Sequence, residues 1–412
     1  MLTAADVERI AADLITARER ILRPRPTAQV LAALSELVDR WLQPESPWRQ
    51  RAEAELPAAT GFSAAMVRHG LPLMLEPLRS SAIGRLLDAE LGSRDRACGP
   101  PLLLHVLAGN LPGLAAIPIA LSLAVKSAVM VKAGSGDRVF PSLFIESLAA
   151  VDTELAQCAA ALYWPGGRLD PEAAAFRAAN VVVASGNDVT IADIARRVPG
   201  RFIGHGHRIS FAAITREALR DAEVVAARLA DDVALWDQLG CLSPQLAYVE
   251  RGGAISVEQF ADTLGRALDR LADELPLRQL SRAEQAALQR FRQEAEWRSV
   301  RGEEVTLFAS PSGVSWTVVY DTAPVFVPTP LNRTVWVKPL DALAELATIL
   351  APVRPYLEAA GIAAPPNRQG DLETWLTQTG VHRVCSLGQM QRPDLSWRQG
   401  GRPRVSEWIV RP

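Results

Sequence analysis

The segment Trp236-Asp-Gln-Leu-Gly-Cys-Leu-Ser-Pro244 holds the residue whose setting best suits chemistry. Cys241 follows Gly240, between an amphipathic helical pattern and a β-like run from Leu246 to Glu250. A cysteine at such a junction can stand at the tip of a turn, with its sulfur in a cleft and its amide near a helix end. A thiol needs that setting to attack a carbonyl, because the thiolate is the nucleophile and nearby donors must hold the developing oxyanion. The competing reading is a small buried hydrophobe, the usual fate of a free cysteine.

Other residues upstream bear on the choice. Asn110 lies in a turn, Asn110-Leu-Pro-Gly113, after an apolar run. Lys132 ends the run Ala128-Val-Met-Val-Lys132, and Ala133-Gly-Ser-Gly136 follows it before a helical pattern. Such a loop suits an anion at a helix N-terminus, although Gly134, Ser135 and Gly136 also read as a plain turn. Ser185-Gly186-Asn187-Asp188 follows the strand-like Asn180 to Ala184 in the same way. Two small polar loops at the carboxyl ends of parallel strands form a typical cofactor crevice. No Walker loop and no G-x-G-x-x-G fingerprint is present.

The elements that must position these residues alternate. Residues 3 to about 95 read as helical, with Thr3 capping the first helix, Ser63 preceding a second pattern, and Ser81 opening a third that stops at Gly92. From Pro101, strands are expected at Leu102–Leu107, Ala128–Lys132, Asn180–Ala184 and Arg208–Ile214, separated by helices. That alternation argues for a parallel sheet covered on both faces. A second α/β unit starts near Thr215, with a strand at Leu246, a helix capped by Ser256, a polar helix Arg282–Arg298, and strands at Ser315–Tyr320 and Arg333–Lys338. A helix from Leu340 to about Leu350, a Pro-rich turn and a tail rich in Trp, Arg and Gly end the chain. The expected division is a helical region 1–95, a Rossmann-like cofactor domain 96–214, a catalytic α/β domain 215–350, and a segment 351–412 returning to the cofactor domain or a dimer interface.

Composition excludes several classes. The 412 residues are 49% hydrophobic and 22% charged with a net charge of -2, ordinary for a globular protein and unsuited to nucleic acid or anionic membrane. The four cysteines, Cys98, Cys158, Cys241 and Cys385, are scattered, so neither a disulfide framework nor a metal site is expected. The N-terminus lacks a signal-peptide apolar core, and a cytoplasmic location is the expectation. Val106 to Val125 is uncharged and meets the ~18-residue criterion for a span. Its Gly109-Asn110, Pro112, Gly113 and Pro118 suit a strand, a loop and a buried helix instead.

In this order the motifs resemble the aldehyde dehydrogenase superfamily, through Val106-Leu-Ala-Gly-Asn-Leu-Pro-Gly113 and Val125-Lys-Ser-Ala-Val-Met-Val-Lys-Ala-Gly-Ser-Gly136. Within it the chain resembles the fatty-acyl reductases of bacterial bioluminescence, the LuxC type. The matching pieces include Phe62 to Gly70, Leu86 to Gly92, Gln238-Leu-Gly-Cys-Leu-Ser-Pro244, Asn332-Arg-Thr-Val-Trp-Val-Lys-Pro339 and Gly380 to Gly388. The resemblance covers nearly the whole chain. It implies an α/β, aldehyde-dehydrogenase-like fold, with a Rossmann-like cofactor domain, a catalytic domain and an N-terminal helical region.

By the same resemblance, Cys241 accepts the acyl group and Asn110 helps the Cys241 amide hold the oxyanion. Lys132 binds a cofactor ribose, and Ser185 and Gly186 pack against the nicotinamide nucleotide. The implied reaction is reduction of an acyl-CoA or acyl-carrier-protein thioester to an aldehyde, with NADPH (NADH as the alternative), in a homodimer or larger oligomer. The family's water-activating glutamate is missing: the matching region, Phe202-Ile-Gly-His-Gly-His-Arg208, has no carboxylate. Glu303 and Glu304 are loose candidates for the second family glutamate. An enzyme that must not hydrolyse its acyl intermediate has no use for such a base. His205 or His207 could donate the proton or lower the cysteine pKa, or be surface histidines. The other histidines, His69, His105 and His382, and the other cysteines are expected to be structural. The alternative activities are a cysteine acyltransferase or thioesterase without redox chemistry, and a catalytically silent partner of another enzyme.

Overall fold

The computed structural model describes residues 2–409. The chain divides into two compact units. One comprises Met1–Thr60, Val67–His207 and Asp394–Pro412; the other comprises Gly61–Met66 and Arg208–Pro393.

The first unit opens with helices Ala4–Ala17, Thr27–Leu42 and Pro47–Thr60. Thr3 caps the first of them in a capping box with Asp6, as its sequence predicts. Five strands follow: β1 (Leu102–Val106), β2 (Ala128–Lys132), β3 (Ala159–Leu162), β4 (Val181–Ser185) and β5 (Arg201–His205). They form a parallel sheet in the order β3-β2-β1-β4-β5. The apolar runs of β1, β2 and β4 fall on the three inner strands, where both faces are covered. One core joins Val7, Ala11 and Leu14 of the first helix to Leu102, Leu104, Met130 and Val182 of the sheet. The uncharged Val106–Val125 segment becomes the end of β1, a loop, and the nine-residue helix Ala116–Ala124. Among the described residues no helix is long and apolar enough to cross a membrane.

The second unit is built on seven strands: β6 (Ile209–Ile214), β7 (Pro244–Glu250), β8 (Val305–Ala309), β9 (Thr317–Asp321), β10 (Thr334–Leu340), β11 (Leu357–Ala363) and β12 (Arg383–Ser386). Their order is β12-β11-β6-β7-β10-β9-β8, parallel except for β8 against β9. Helices Val257–Glu274 and Arg282–Val300 are each opened by a capping box, at Ser256 and Ser281. The core includes Phe211, Leu246, Tyr248, Val319, Trp336 and Leu376.

Several elements differ from the sequence expectation. The strand at Arg208–Ile214, expected with the cofactor domain, is β6 of the second unit's sheet. Residues up to Pro393 also belong to the second unit, and only Asp394 onward joins the first. The last three residues of the expected 351–412 segment lie outside the described residues. In place of a helix from Leu340 to Leu350, β10 runs through Leu340, and only Leu346–Ile349 is α-helical. The tail is more regular than its composition suggested, with β11, the helix Pro366–Thr379 and β12.

Candidate active site

In the first unit, register gathers most of the expected cofactor residues at one sheet edge. Val106 pairs with Lys132 and with Ala184, and Ser185 pairs with His205. The turn containing Asn110, Lys132, the Ser185–Gly186 loop and His205 therefore stand in a row at the carboxyl ends of the strands. The chain runs from β1 outward to β3, then resumes on the other side of β1 with β4. The point between β1 and β4 is a topological switch point, where open α/β sheets bind their ligands.

Asn110 is exposed and Lys132 half-buried. Burial pulls the Lys132 ammonium below its usual range, and Glu172 opposes that. After β4, the Asn187 side chain caps the helix Asp188–Arg197 by accepting from the Thr190 amide at 2.8 Å. The Gly186 amide donates to the His205 carbonyl at 3.1 Å, fastening this loop to β5. His205 is half-buried and His207 exposed.

The Gly134–Gly136 loop, expected as an anion cradle, packs closely on the Asn110 turn. A Cβ on Gly134 would lie 2.6 Å from the Gly109 Cα, and one on Gly136 would lie 2.3 Å from the Gly109 carbonyl oxygen. These glycines let the loop after β2 pack on the backbone of the Asn110 turn. The next helix, Phe140–Ala149, starts later, and its first turn already has an anion: Asp137, buried, accepts from the Phe140 amide at 3.0 Å. Burial pushes the Asp137 carboxyl up to about 6, against bonds from the Phe140, Val139 and Gly113 amides. Asp137 thus ties the loop after β2 to Gly113 of the Asn110 turn.

Two residues here escaped the sequence reading. Asp188 accepts from the His207 amide at 2.8 Å, so a carboxylate does reach the His205–His207 loop, from the neighbouring helix. Arg138 holds its guanidinium 3.9 Å from the Tyr163 ring centroid. Tyr163 follows Leu162, the register partner of Lys132, so Arg138 belongs to the same sheet edge. Neither pairing is visible in spacing along the chain.

In the second unit, Cys241 is half-buried in the turn that enters β7, closed by the Ser243 amide donating to the Gly240 carbonyl at 3.1 Å. The Ser210 hydroxyl donates to the Cys241 carbonyl at 2.7 Å and accepts from the Ala359 amide at 3.1 Å. Before the turn, Trp236, Asp237 and Gln238 all have positive φ, at 56°, 49° and 65°. Such residues cost roughly 1–2 kcal/mol each and persist only where their surroundings hold them. Here the fully buried Asp237 accepts from Arg333 Nε at 2.9 Å and from the Arg278 amide at 3.0 Å. Burial raises the Asp237 carboxyl above its usual range, and Arg333 opposes this.

Two of the remaining candidates lie in this unit, away from the Cys241 turn. Glu303 and Glu304 precede β8, whose Val305 pairs with Asp321 at the carboxyl end of β9. Cys241 is at the amino end of the parallel β7, so both glutamates lie at the opposite end of this sheet, and Glu303 is engaged by Arg298 at 2.7 Å. Burial pushes the Cys158 and Cys385 thiols up to about 11, which suits structural roles. His105 is buried beside Ser122 at 3.0 Å and pulled down to about 3 by burial and by His205. Among the described residues no group of His, Cys, Asp and Glu is arranged to hold a metal.

The family model described as acyl-CoA reductase (LuxC) matches residues 22–403. The chain belongs to the acyl-CoA reductase (LuxC) family. As a member, this reductase is an oxidoreductase acting on an acyl thioester. It is 25% identical over 339 residues to a long-chain acyl-protein thioester reductase of Aliivibrio fischeri, covering 77% of the reductase and 68% of that protein. It is 24% identical over 293 residues to long-chain acyl-protein thioester reductase 2 of Photobacterium leiognathi, covering 69% of the reductase and 58% of that protein.

Solved structures similar to the reductase share its fold. Aldehyde dehydrogenase 21 from Physcomitrella patens matches with a TM-score of 0.72 at 15% identity, over 94% of the reductase and 82% of that chain. The NADP-dependent glyceraldehyde-3-phosphate dehydrogenase of Bacillus halodurans, solved with NADP, matches with a TM-score of 0.70 at 15% identity, over 94% and 83%. The fold is that of the aldehyde dehydrogenases, as the motifs implied.

Proposed function

We propose that this reductase converts an acyl-CoA or acyl-carrier-protein thioester to an aldehyde through a covalent acyl-Cys241, with NADPH as reductant. The observation that carries the reading is the Cys241 turn, pinned through its own carbonyl and held half-open at the head of β7. The Cys241 thiolate attacks the thioester carbon, forming a C–S bond and a tetrahedral oxyanion. The Cys241 amide and the Asn110 carboxamide are the proposed donors to that oxyanion. Its collapse breaks the bond to the donor thiol, which leaves and takes up a proton.

The edge of the first unit's sheet fits a dinucleotide: a switch point, a half-buried lysine at a strand end, and a capped helix after the Ser185–Gly186 loop. Lys132, Ser185 and Gly186 would hold it, while Gly134 to Gly136 shape the loop behind Lys132. A bound reduced nicotinamide would supply the hydride that the thioester carbon takes up. The tetrahedral alkoxide left on Cys241 collapses, its C–S bond breaking to release the aldehyde and return Cys241 as a thiolate, which then takes up a proton. His205 or His207 is the proposed proton donor, since a near-neutral imidazole can give and regain a proton. The charges at the end of β2 favour NADPH, because Lys132 and Arg138 are cationic and the carboxylate of Asp137 is buried as a cap.

The test is an acyl-CoA panel of short, long and aromatic chains. Without reductant, the wild type gains one acyl mass on the peptide containing Cys241; with NADPH, oxidation of the cofactor accompanies aldehyde release. Cys241→Ala loses both. Acylation without any NADPH or NADH oxidation would instead point to an acyltransferase or thioesterase, and an adduct retained in Cys241→Ala would end the nucleophile assignment.

A further inference from the structure

The polar groups behind the Cys241 turn are more organised than a fold needs to enter a strand. Two separate tripeptides in the second unit have left-handed backbone: Trp236–Gln238, and Leu331–Arg333 at 58°, 55° and 60°. None of the six is glycine. They lie at the amino ends of β7 and β10, which are adjacent and parallel. The buried Asp237–Arg333 ion pair joins one tripeptide to the other. Arg278 reinforces it by donating to the Asn332 side-chain oxygen at 2.9 Å and, through its amide, to Asp237 at 3.0 Å.

Gln238 sits where these links meet the cysteine turn. Its carboxamide is 1% exposed and uses both ends. The side-chain nitrogen donates to the Pro244 carbonyl at 2.7 Å and to the Thr334 carbonyl at 2.9 Å. The side-chain oxygen accepts from the Thr334 amide at 2.9 Å. The first bond closes a ring from residue 238 to residue 244, with Cys241 at its midpoint. The other two fasten that ring to the first residue of β10. With Ser210 on the Cys241 carbonyl and Gln391 on the Ser243 hydroxyl at 3.0 Å, the turn is held at its base, its tip and its exit.

We infer that Gln238 is a positioning residue for Cys241: its carboxamide fixes the height and direction of the nucleophile turn against β10. The inference rests on the proposed role of Cys241. Gln238 touches neither end of the reacting bond. It acts by keeping the sulfur from wandering, and a misplacement of about 1 Å at a reacting atom can cost ~100-fold in rate. No shorter or apolar side chain reproduces all three bonds: aspartate and asparagine fall one carbon short, and methionine fills the space without polar atoms.

Gln238→Asn is the first test, because it keeps the amide chemistry and shortens its reach. The expected result is a kcat lowered roughly 10- to 100-fold, a KM for acyl-CoA changed less than about threefold, and slowed alkylation of Cys241 by iodoacetamide. A merely structural role would lower the melting temperature and leave kcat per folded molecule and the alkylation rate at wild-type values. Either value at wild type in the folded variant overturns the inference. Gln238→Met, which removes all three bonds, should be slower still at acylation. If neither variant folds, hydrogen exchange on the wild type decides: the Thr334 amide should exchange only with global unfolding, and exchange at the rate of an open loop overturns the inference. The two readings fail differently. A wild type that forms no acyl-Cys241 removes the nucleophile, whereas acylation at the same rate in wild type and Gln238→Asn removes only the positioning role.

Discussion

At the end of β2, the proposed preference for NADPH rests on which charges are held out and which are tucked away. Lys132 and Arg138 present cations, and Asp137 spends its carboxylate on the amides behind it. Arg138 is steadied over Tyr163 at 3.9 Å, which would present its guanidinium already placed to the extra phosphate of the proposed NADPH. Arg138→Ala should weaken NADPH binding about 10-fold or more and leave NADH binding within about twofold, since a hydrogen bond to a charged group contributes roughly 1.5–3 kcal/mol. Titrating each cofactor by fluorescence, without acyl substrate, reads this directly; equal losses for both would remove Arg138 from the site. Single residues were legible when their chemistry was local. Asn110, Lys132 and Ser185 stand at strand ends that their own runs announce. Arg138, Asp188 and Gln238 were not, because Tyr163, His207 and Thr334 reach them only through sheet register or a helix placed beside a loop.

Among the elements, β7 carries different tasks at its two ends. Its amino end holds the Cys241 turn, and its carboxyl end buries Glu250. Glu250 accepts from Arg368 at 2.8 and 2.9 Å and from the Leu343 and Arg216 amides at 3.1 and 3.2 Å. Burial alone would raise this carboxyl; the Arg368 guanidinium and the two amides overcome it and hold the group down to about 2. Its folded pKa lies below the unfolded value near 4.5, so its stability is fully present above that pH. It is lost as pH falls toward 2. Glu250→Gln should cost on the order of 3 kcal/mol at neutral pH and flatten the acid side of the stability curve. Urea unfolding from pH 7 to pH 2 measures both, and parallel curves for wild type and variant would contradict the assignment. The same sheet shows why some strands escaped the sequence. β7 and β10 carry unbroken apolar stretches at Leu246–Val249 and Val335–Val337. β11, Leu-Glu-Ala-Ala-Gly-Ile-Ala, owes its place to close packing, where a Cβ on Gly361 would meet the Met390 sulfur at 2.5 Å. Alanine-rich strands such as β3 and β11 carry little β propensity, and the edge strands β5 and β12 are short and polar.

For the molecule as a whole, the proposed cycle requires the acyl group to wait on Cys241 until reductant arrives, and the disposition of carboxylates bears on how long it can wait. A hydrolytic member of the same fold needs a base free to take a proton from water. The Phe202–Arg208 region has no carboxylate of its own, and the one that reaches it, Asp188, accepts from the His207 amide at 2.8 Å. That Asp188 oxygen is thereby engaged by a backbone amide rather than by a water. Histidine remains, and it suits donating a proton to a departing thiolate more than driving water onto a thioester. We therefore expect the acyl-enzyme to partition toward reduction. In saturating NADPH the aldehyde should exceed free acid by roughly 100-fold, the range over which a general base typically contributes. Without NADPH the acyl-Cys241 mass should persist over many turnover times. Placing a glutamate in the loop, as His207→Glu, should raise the free-acid fraction released from the acyl-Cys241 that forms. Quantifying both products from one acyl-CoA, with the Cys241 peptide followed by mass spectrometry, tests the partition. Rapid release of free acid by the wild type without cofactor would make the protein a thioesterase in practice, and the missing base would then have to be sought among groups other than these.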